Sequence, residues 1–225
     1  MRTTSTFFII GLLLLSCQNK EVQLAESLLT EVTEVTDVSP IYIFYNEENG
    51  MAEFNRNNMI GTTNWLVNID KRLNMEKILP HLIYLQNKRM KDGMHKNEMA
   101  KNYFSCSNPE IQNLTFIDFS DVIYHDESIA EFMKKKEPDS TSIRVYVNLD
   151  RDGTVVIGKR FALINADRET WINKLNESAV IDSLMNDVYL NFNAAMSFQD
   201  YIEIKSSLDS LNQNELKIST HEFIY

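Results

Sequence analysis

Cysteine is almost absent from this 225-residue chain; there are two, Cys17 and Cys106. Two cysteines rule out a disulfide framework and a thiolate metal cluster. Glycine is scarce as well, at six residues. No Gly-x-Ser-x-Gly, phosphate loop, His-Glu-x-x-His or dinucleotide glycine motif occurs. Positive charge is in short supply, with 22 Lys and Arg against 32 Asp and Glu, for a net charge of −10. Nucleic acid demands a basic footprint and is excluded as a partner. The same acidity argues against tight docking of the folded body on anionic lipid. Long apolar runs are missing too. The longest, Phe7-Phe8-Ile9-Ile10-Gly11-Leu12-Leu13-Leu14-Leu15, is about half the ~20 residues that span a bilayer as a helix.

That run nevertheless organises the N-terminus. Arg2 precedes it and Leu14-Leu15-Ser16-Cys17 ends it, the layout of an export signal. The ending closely resembles the lipobox of bacterial lipoproteins. The resemblance implies that residues 1–16 are removed, that Cys17 is acylated, and that the protein works in the bacterial cell envelope, held to a membrane by lipid. Cys106 is then alone and reads as a small buried thiol. Hydrophobic residues at 44% and aromatics at 10% supply a core for the remainder.

Residues 17–39 are rich in Glu, Thr and Val and read as a tether, with folded structure starting near Pro40. Ile41–Tyr45 is strand-like, Asn49-Gly50 marks a tight hairpin turn, and Met51–Phe54 returns as its partner. Trp65–Asp70 reads as a strand. Asn74 caps a helix from Met75 whose apolar face is Ile78, Leu79, Leu82, Ile83 and Leu85. A polar stretch from Lys88 to Pro109 precedes a strand at Leu114–Phe119, which Val122–Tyr124 continues or closes. In the second half, Ile143–Leu149 and Thr154–Ile157 flank an Asp152-Gly153 turn. A helix follows around Trp171, Ile172, Leu175 and Ile181. Val188–Asn193 is a strand, Ser197 caps a helix through Phe198, Tyr201, Ile202, Ile204, Leu208 and Leu211, and Leu216–Tyr225 ends the chain as strand.

The two halves follow one order. Asn49-Gly50 answers Asp152-Gly153, Trp65–Ile69 answers Val188–Phe192, and Val122-Ile123-Tyr124 answers Phe223-Ile224-Tyr225. The expected fold is α+β, as two repeated small modules, each a β-hairpin plus strand–helix–strand. The divisions are 40–126 for the first module, 127–141 for a linker carrying Lys134-Lys135-Lys136, and 142–225 for the second module.

Val145 to Ile157, Val188 to Asn193, Ser197 to Leu211 and Leu216 to Tyr225 together resemble the periplasmic domain of the ExbD/TolR family of biopolymer-transport proteins. The resemblance covers about the last third of the chain. It implies a binding module that pairs as dimers or adds a partner's strand at an exposed edge. Members of that family carry an ionisable Asp in a membrane helix; Thr3 to Ser16 contains no carboxylate. What the resemblance implies is the soluble module without the motor.

Asp150-Arg151-Asp152-Gly153 fails as a calcium loop, because Gly153 falls fourth and Phe161 twelfth. The carboxylate pairs Glu47-Glu48 and Asp118/Asp121 read as turn and edge charges. His81, His95, His125 and His221 sit in no motif. No catalytic, metal or cofactor residues are assigned. The leading expectation is a non-enzymatic, lipid-anchored envelope protein that binds a protein or polymer partner. Its edge would be the terminal strand Phe223, Ile224 and Tyr225. The alternative is an envelope hydrolase whose catalytic groups are scattered along the chain.

Overall fold

A computed structural model describes residues 20–91, 97–136, 141–179, 184–211 and 215–225. Within these, a mixed α/β chain builds two sheets, with strands outnumbering helices. The first sheet contains β1 (Val38–Tyr45), β2 (Ala52–Asn55), β3 (Asn64–Ile69), β4 (Asn102–Asn108) and β5 (Asn113–Asp118), in the order β2-β1-β3-β4-β5. Helix α1 (Met75–Lys91) connects the parallel neighbours β3 and β4. The second sheet runs β6-β11-β10-β7-β8-β9. Its strands are β6 (Ile123–His125), β7 (Ser142–Leu149), β8 (Thr154–Lys159), β9 (Ala162–Asp167), β10 (Met185–Phe192) and β11 (Leu216–Ile224). Helices α2 (Ile129–Lys135), α3 (Trp171–Ala179) and α4 (Phe198–Ser207) accompany it.

Both hairpins form where expected, but with different loops. Asn46 N–H bonds Met51 O and Gly50 N–H bonds Asn46 O, so the first loop spans four residues, of which Gly50 has positive φ (+66°). It is wider than the two-residue turn that Asn-Gly predicts, because the Asn46 side chain accepts from Glu48 N–H and organises the loop. The second loop closes Asp150 N–H on Thr154 O, with Gly153 at φ +89°, a three-residue hairpin whose last residue must be left-handed.

Helix starts follow the sequence. Lys77 N–H donates to Asn74 Oδ1, and Asp200 N–H donates to Ser197 Oγ. Ile78, Leu79, Leu82 and Leu85 are then buried on α1, and Phe198, Tyr201, Ile202 and Ile204 on α4. The two caps meet. Met75 N–H donates to Met196 O and Phe198 N–H donates to Leu73 O, so Asn74 and Ser197 form an antiparallel bridge. Around this joint the units share one core: Phe104 of β4 stacks on Phe119 at 3.9 Å and lies edge-on to Phe198 at 5.3 Å. Each buried ring of this size contributes about 1.5–3 kcal/mol.

Four expectations need correcting. Residues 88–109 are not all connection, because Asn102–Asn108 is β4, buried on both faces. Its polar residues hid it; the Ser105 hydroxyl is buried without a partner, but both asparagines are held, Asn108 by Leu29 O. Asn102 Oδ1 accepts from Arg89 Nε at 3.1 Å and Nη2 at 2.8 Å, while the Arg89 guanidinium lies over Trp65. Residues 20–36 are not a free spacer. Leu24 bridges Asp70, Glu26 bridges Ser107, Ala25 and Ser27 are buried, and Val32 O accepts from Phe116 N–H at the β5 edge. This strap follows the far ends of β3 and β4, where those strands no longer pair with each other. Val122–Tyr124 does not close the first sheet: Ile123–His125 crosses to pair beside β11, with Tyr124 opposite Glu222. It is the neighbour of the terminal strand, not its equivalent. Residues 127–141 contain α2, started by a full capping box between Ser128 and Glu131. Ile181, expected in the helix with Trp171, lies outside the described residues.

Candidate functional site

Cys17 lies outside the described residues, as do residues 1–16. Phe223, Ile224 and Tyr225 are not an open edge. β11 is an inner strand, flanked by β10 along its length and by β6 from His221 to Phe223. Phe223 and Ile224 are buried, and Tyr225 alone of the three is exposed. Alternation sends the two to opposite faces, Ile224 into the core and Phe223 under His125 and Phe132, so neither is offered to a partner.

β6 is held on β11 by chemistry that sequence spacing could not reveal. His125 and His221, 96 residues apart, are joined by a ring nitrogen hydrogen bond, Nε2 to Nδ1, of 2.8 Å. The His125 ring stacks on Phe223 at 4.8 Å, and Phe132 of α2 covers both imidazoles at 4.9 and 4.7 Å. Burial lowers both histidine pKa values; Glu127, with Oε1 3.8 Å from His125 Nδ1, pulls the other way on His125. A neutral pair suits this geometry, since one ring must present a bare nitrogen to the other. Beneath it runs a buried chain: Tyr124 Oη to Tyr201 Oη at 3.1 Å, Tyr201 O–H to Glu222 Oε2 at 2.7 Å, and Lys205 Nζ to Glu222 Oε1. Burial raises both tyrosine pKa values well above normal, keeping them protonated donors.

Of the other histidines, His81 lies against Phe54, with its pKa lowered by burial and then by Arg56, and His95 is outside the described residues. The Cys106 thiol is buried and pushed up to about 12 by that burial, which leaves it inert. Asp118 pairs with Lys101, and Glu47 with Arg72. Among the described residues no three His, Cys, Asp or Glu side chains converge as metal ligands. No described helix is long and apolar enough to cross a membrane.

The most exposed apolar group is elsewhere, at the β8–β9 hairpin. Lys159 faces Ala162, leaving Arg160-Phe161 as a two-residue loop. Arg160 takes φ +52°, a left-handed conformation that costs a non-glycine residue about 1–3 kcal/mol. The strained loop holds Phe161 fully in solvent, with Leu163 76% exposed behind it. Both lie beside the sheet face that carries Tyr146 and Tyr189, whose rings are 6.0 Å apart. On that face Asn191 Nδ2 donates to Asn148 Oδ1 at 2.7 Å, and Asn191 Oδ1 is buried without a partner. β9 is an outer strand, but Lys174 Nζ already caps Asn165 O. The strand is thus partly guarded against pairing, whereas its tip is not. The sequence signal was an Arg-Phe pair where a hairpin wants Asn-Gly, and β9 itself went unread because Ala162–Asp167 has weak apolar alternation.

Comparison with family models, curated proteins and solved structures finds no match to this chain.

Proposed function

We propose that this chain is a lipid-anchored cell-envelope accessory protein that holds a partner protein by contact, through the β8–β9 tip of its second sheet. One observation carries the reading: a strained Arg160-Phe161 loop that puts an aromatic ring wholly into water next to Leu163. The positive φ at Arg160 closes the two-residue hairpin, whereas the Phe161 ring gains nothing from folding, and exposed aromatics collect where a protein makes contacts. The anchor is the acylated Cys17 that the Leu-Leu-Ser-Cys ending suggests. The tip replaces Phe223–Tyr225 as the contact element.

Two finer parts belong to the same proposal. The first is that the units are copies. Support comes from their common connectivity: hairpin, parallel strand on the first hairpin strand, capped helix, parallel strand beyond. The second is the likeness of the second unit to an ExbD/TolR periplasmic domain, supported by the same succession of hairpin, helix, strand, capped helix and strand.

The test is a photo-crosslinking residue at Phe161 in the full-length protein in intact cells, with one at Lys217 on β11 as control. One protein should be captured from position 161 and not from 217. No adduct at 161, or the same adducts at both, overturns the reading. Among the described residues, the foothold for the hydrolase alternative is the cluster of His125, His221 and Glu127. His125→Ala with cellular function unchanged removes it.

A further inference from the structure

The overall charge of −10 is unevenly spread, and cations gather along one stripe of α1. On α1, Lys77, His81, Tyr84, Lys88 and Lys91 recur at intervals of four and three residues, which puts them in one stripe. The contacts show where that stripe lies. Lys77 Nζ donates to Gly50 O at 2.7 Å, and the His81 and Tyr84 rings sit 4.8 and 5.8 Å from Phe54 of β2. Arg56, just past β2, lies over Tyr84 at 4.4 Å. On the other side of β2, Lys20 lies 5.9 Å over Phe44 and pairs with Glu53. A shallow cleft between Lys20, Phe44, Phe54 and Arg56 separates the two sides. The β2 edge of the first sheet is thus flanked by cations interleaved with aromatic rings. Glu53, the carboxylate inside it, is already bound by Lys20 and Asn46.

This face is also where the chain arrives from its anchor. Lys20 is three positions from Cys17, a reach of at most about 11 Å when fully extended. The strap beyond Lys20 is fastened to the fold at Leu24 and Glu26, so no slack is left to lift the body away. We infer that the β2 edge and the Lys77–Lys91 stripe lie against the headgroups of an anionic membrane. The inference rests on the proposal that Cys17 is acylated. A tether this short holds the stripe close to the surface, and ~8 Å is the range over which such charges act at physiological salt. Basic residues supply attraction to anionic lipid, and Tyr and Phe suit the interface between headgroup and chain. It also orients the molecule, with the first sheet at the membrane and the second carrying the Phe161 tip.

The experiment uses the purified lipoprotein, with Cys17 acylation scored by mass spectrometry. Lysine acetylation is compared in detergent, in phosphatidylcholine vesicles, and in vesicles of equal phosphatidylethanolamine and phosphatidylglycerol. Lys88 and Lys91 should be labelled severalfold more slowly on the anionic vesicles alone, with Lys217 unchanged throughout. Protection of Arg56 and its neighbours against amide exchange should fall in Lys88→Gln/Lys91→Gln. Acylated protein with equal labelling in detergent and on anionic vesicles overturns the inference and leaves the anchor standing. Equal protection on neutral and anionic vesicles overturns the electrostatic docking. Unacylated Cys17 overturns both.

Discussion

The two sheets share a connectivity and differ in finish. In the first, the outer strand β5 is covered by the strap at Val32, and the splayed ends of β3 and β4 are filled by residues 24–27. In the second, the corresponding flank is covered by β6, three residues held by a histidine pair, and the opposite side ends in the exposed β8–β9 tip. The buried polar groups diverge at matching positions. Counting from the caps Asn74 and Ser197, the apolar Leu82 of α1 corresponds to Lys205 of α4, which is neutralised by Glu222. Asp70, at the end of β3, corresponds to Asn193 at the end of β10. Asp70 is wholly buried and binds Arg72 and Gln23 N–H, which fastens the strap. Asn193 binds Asp150. One scaffold is closed with carboxylate–strap contacts, and the other is left with an element to offer.

The most severe way to break this comparison is at Lys205. Glu222→Ala strands its ammonium in the core and should cost about 3–5 kcal/mol in denaturant unfolding. Lys205→Leu with Glu222→Leu makes α4 resemble α1, and should recover most of that loss or exceed wild-type stability. A double variant as damaged as the single one would show that the pair, not its desolvation, holds the second unit.

Asp70→Asn should cost about 2 kcal/mol, since it weakens several charge-assisted hydrogen bonds at once. Amide exchange at Ala25 and Ser27 should rise before exchange in β3 does. Burial raises the Asp70 pKa, but the Arg72 and Gln23 bonds outweigh it, leaving it below the usual carboxylate value. Its contribution is therefore present above the ordinary Asp pKa of about 4 and is lost as pH falls through the lower folded value.

The second unit should lose more stability at mild acidity than the first, because it holds two histidines of lowered pKa against His81 alone among the described residues of the first. His125 and His221 have folded pKa values below their unfolded value of about 6.5, so the unfolded chain binds more protons in that window. Stability should fall as pH drops below about 6.5, and hydrogen exchange should open β6 before the strap. His221→Gln should flatten this slope. An unchanged slope would place the titration elsewhere.

The smallest folding effect belongs to the tip. Phe161→Ser with Leu163→Ser should change stability by no more than about 0.5 kcal/mol while abolishing co-purification of the partner that crosslinking at position 161 identifies. A larger loss of stability would make the tip part of the fold.

Legibility followed local chemistry. Both hairpins, both capped helices and the paired strands Trp65–Ile69 and Val188–Phe192 could be placed because cap, turn and periodicity all act within a few residues. β4 was missed because a strand buried on both faces needs no alternation, and its Asn102 is satisfied by Arg89 while Asn108 and the Ser107 backbone are satisfied by the strap. The histidine pair, the Tyr201–Glu222–Lys205 chain and the basic stripe were missed for a second reason. Each is assembled across strands or from both sides of β2, and net charge averages the last one away.

The sequence by itself determined the alternation of strand and helix, the sites of the turns and caps, and the acidic balance of the whole, because these depend on backbone preference and composition. Which sheet Ile123–His125 joins, whether residues 20–36 hang free or fasten down, and which strand lies at an edge were decided only by tertiary structure. Those outcomes turn on which apolar face and which buried polar group finds its partner, and the partners are far apart in the chain.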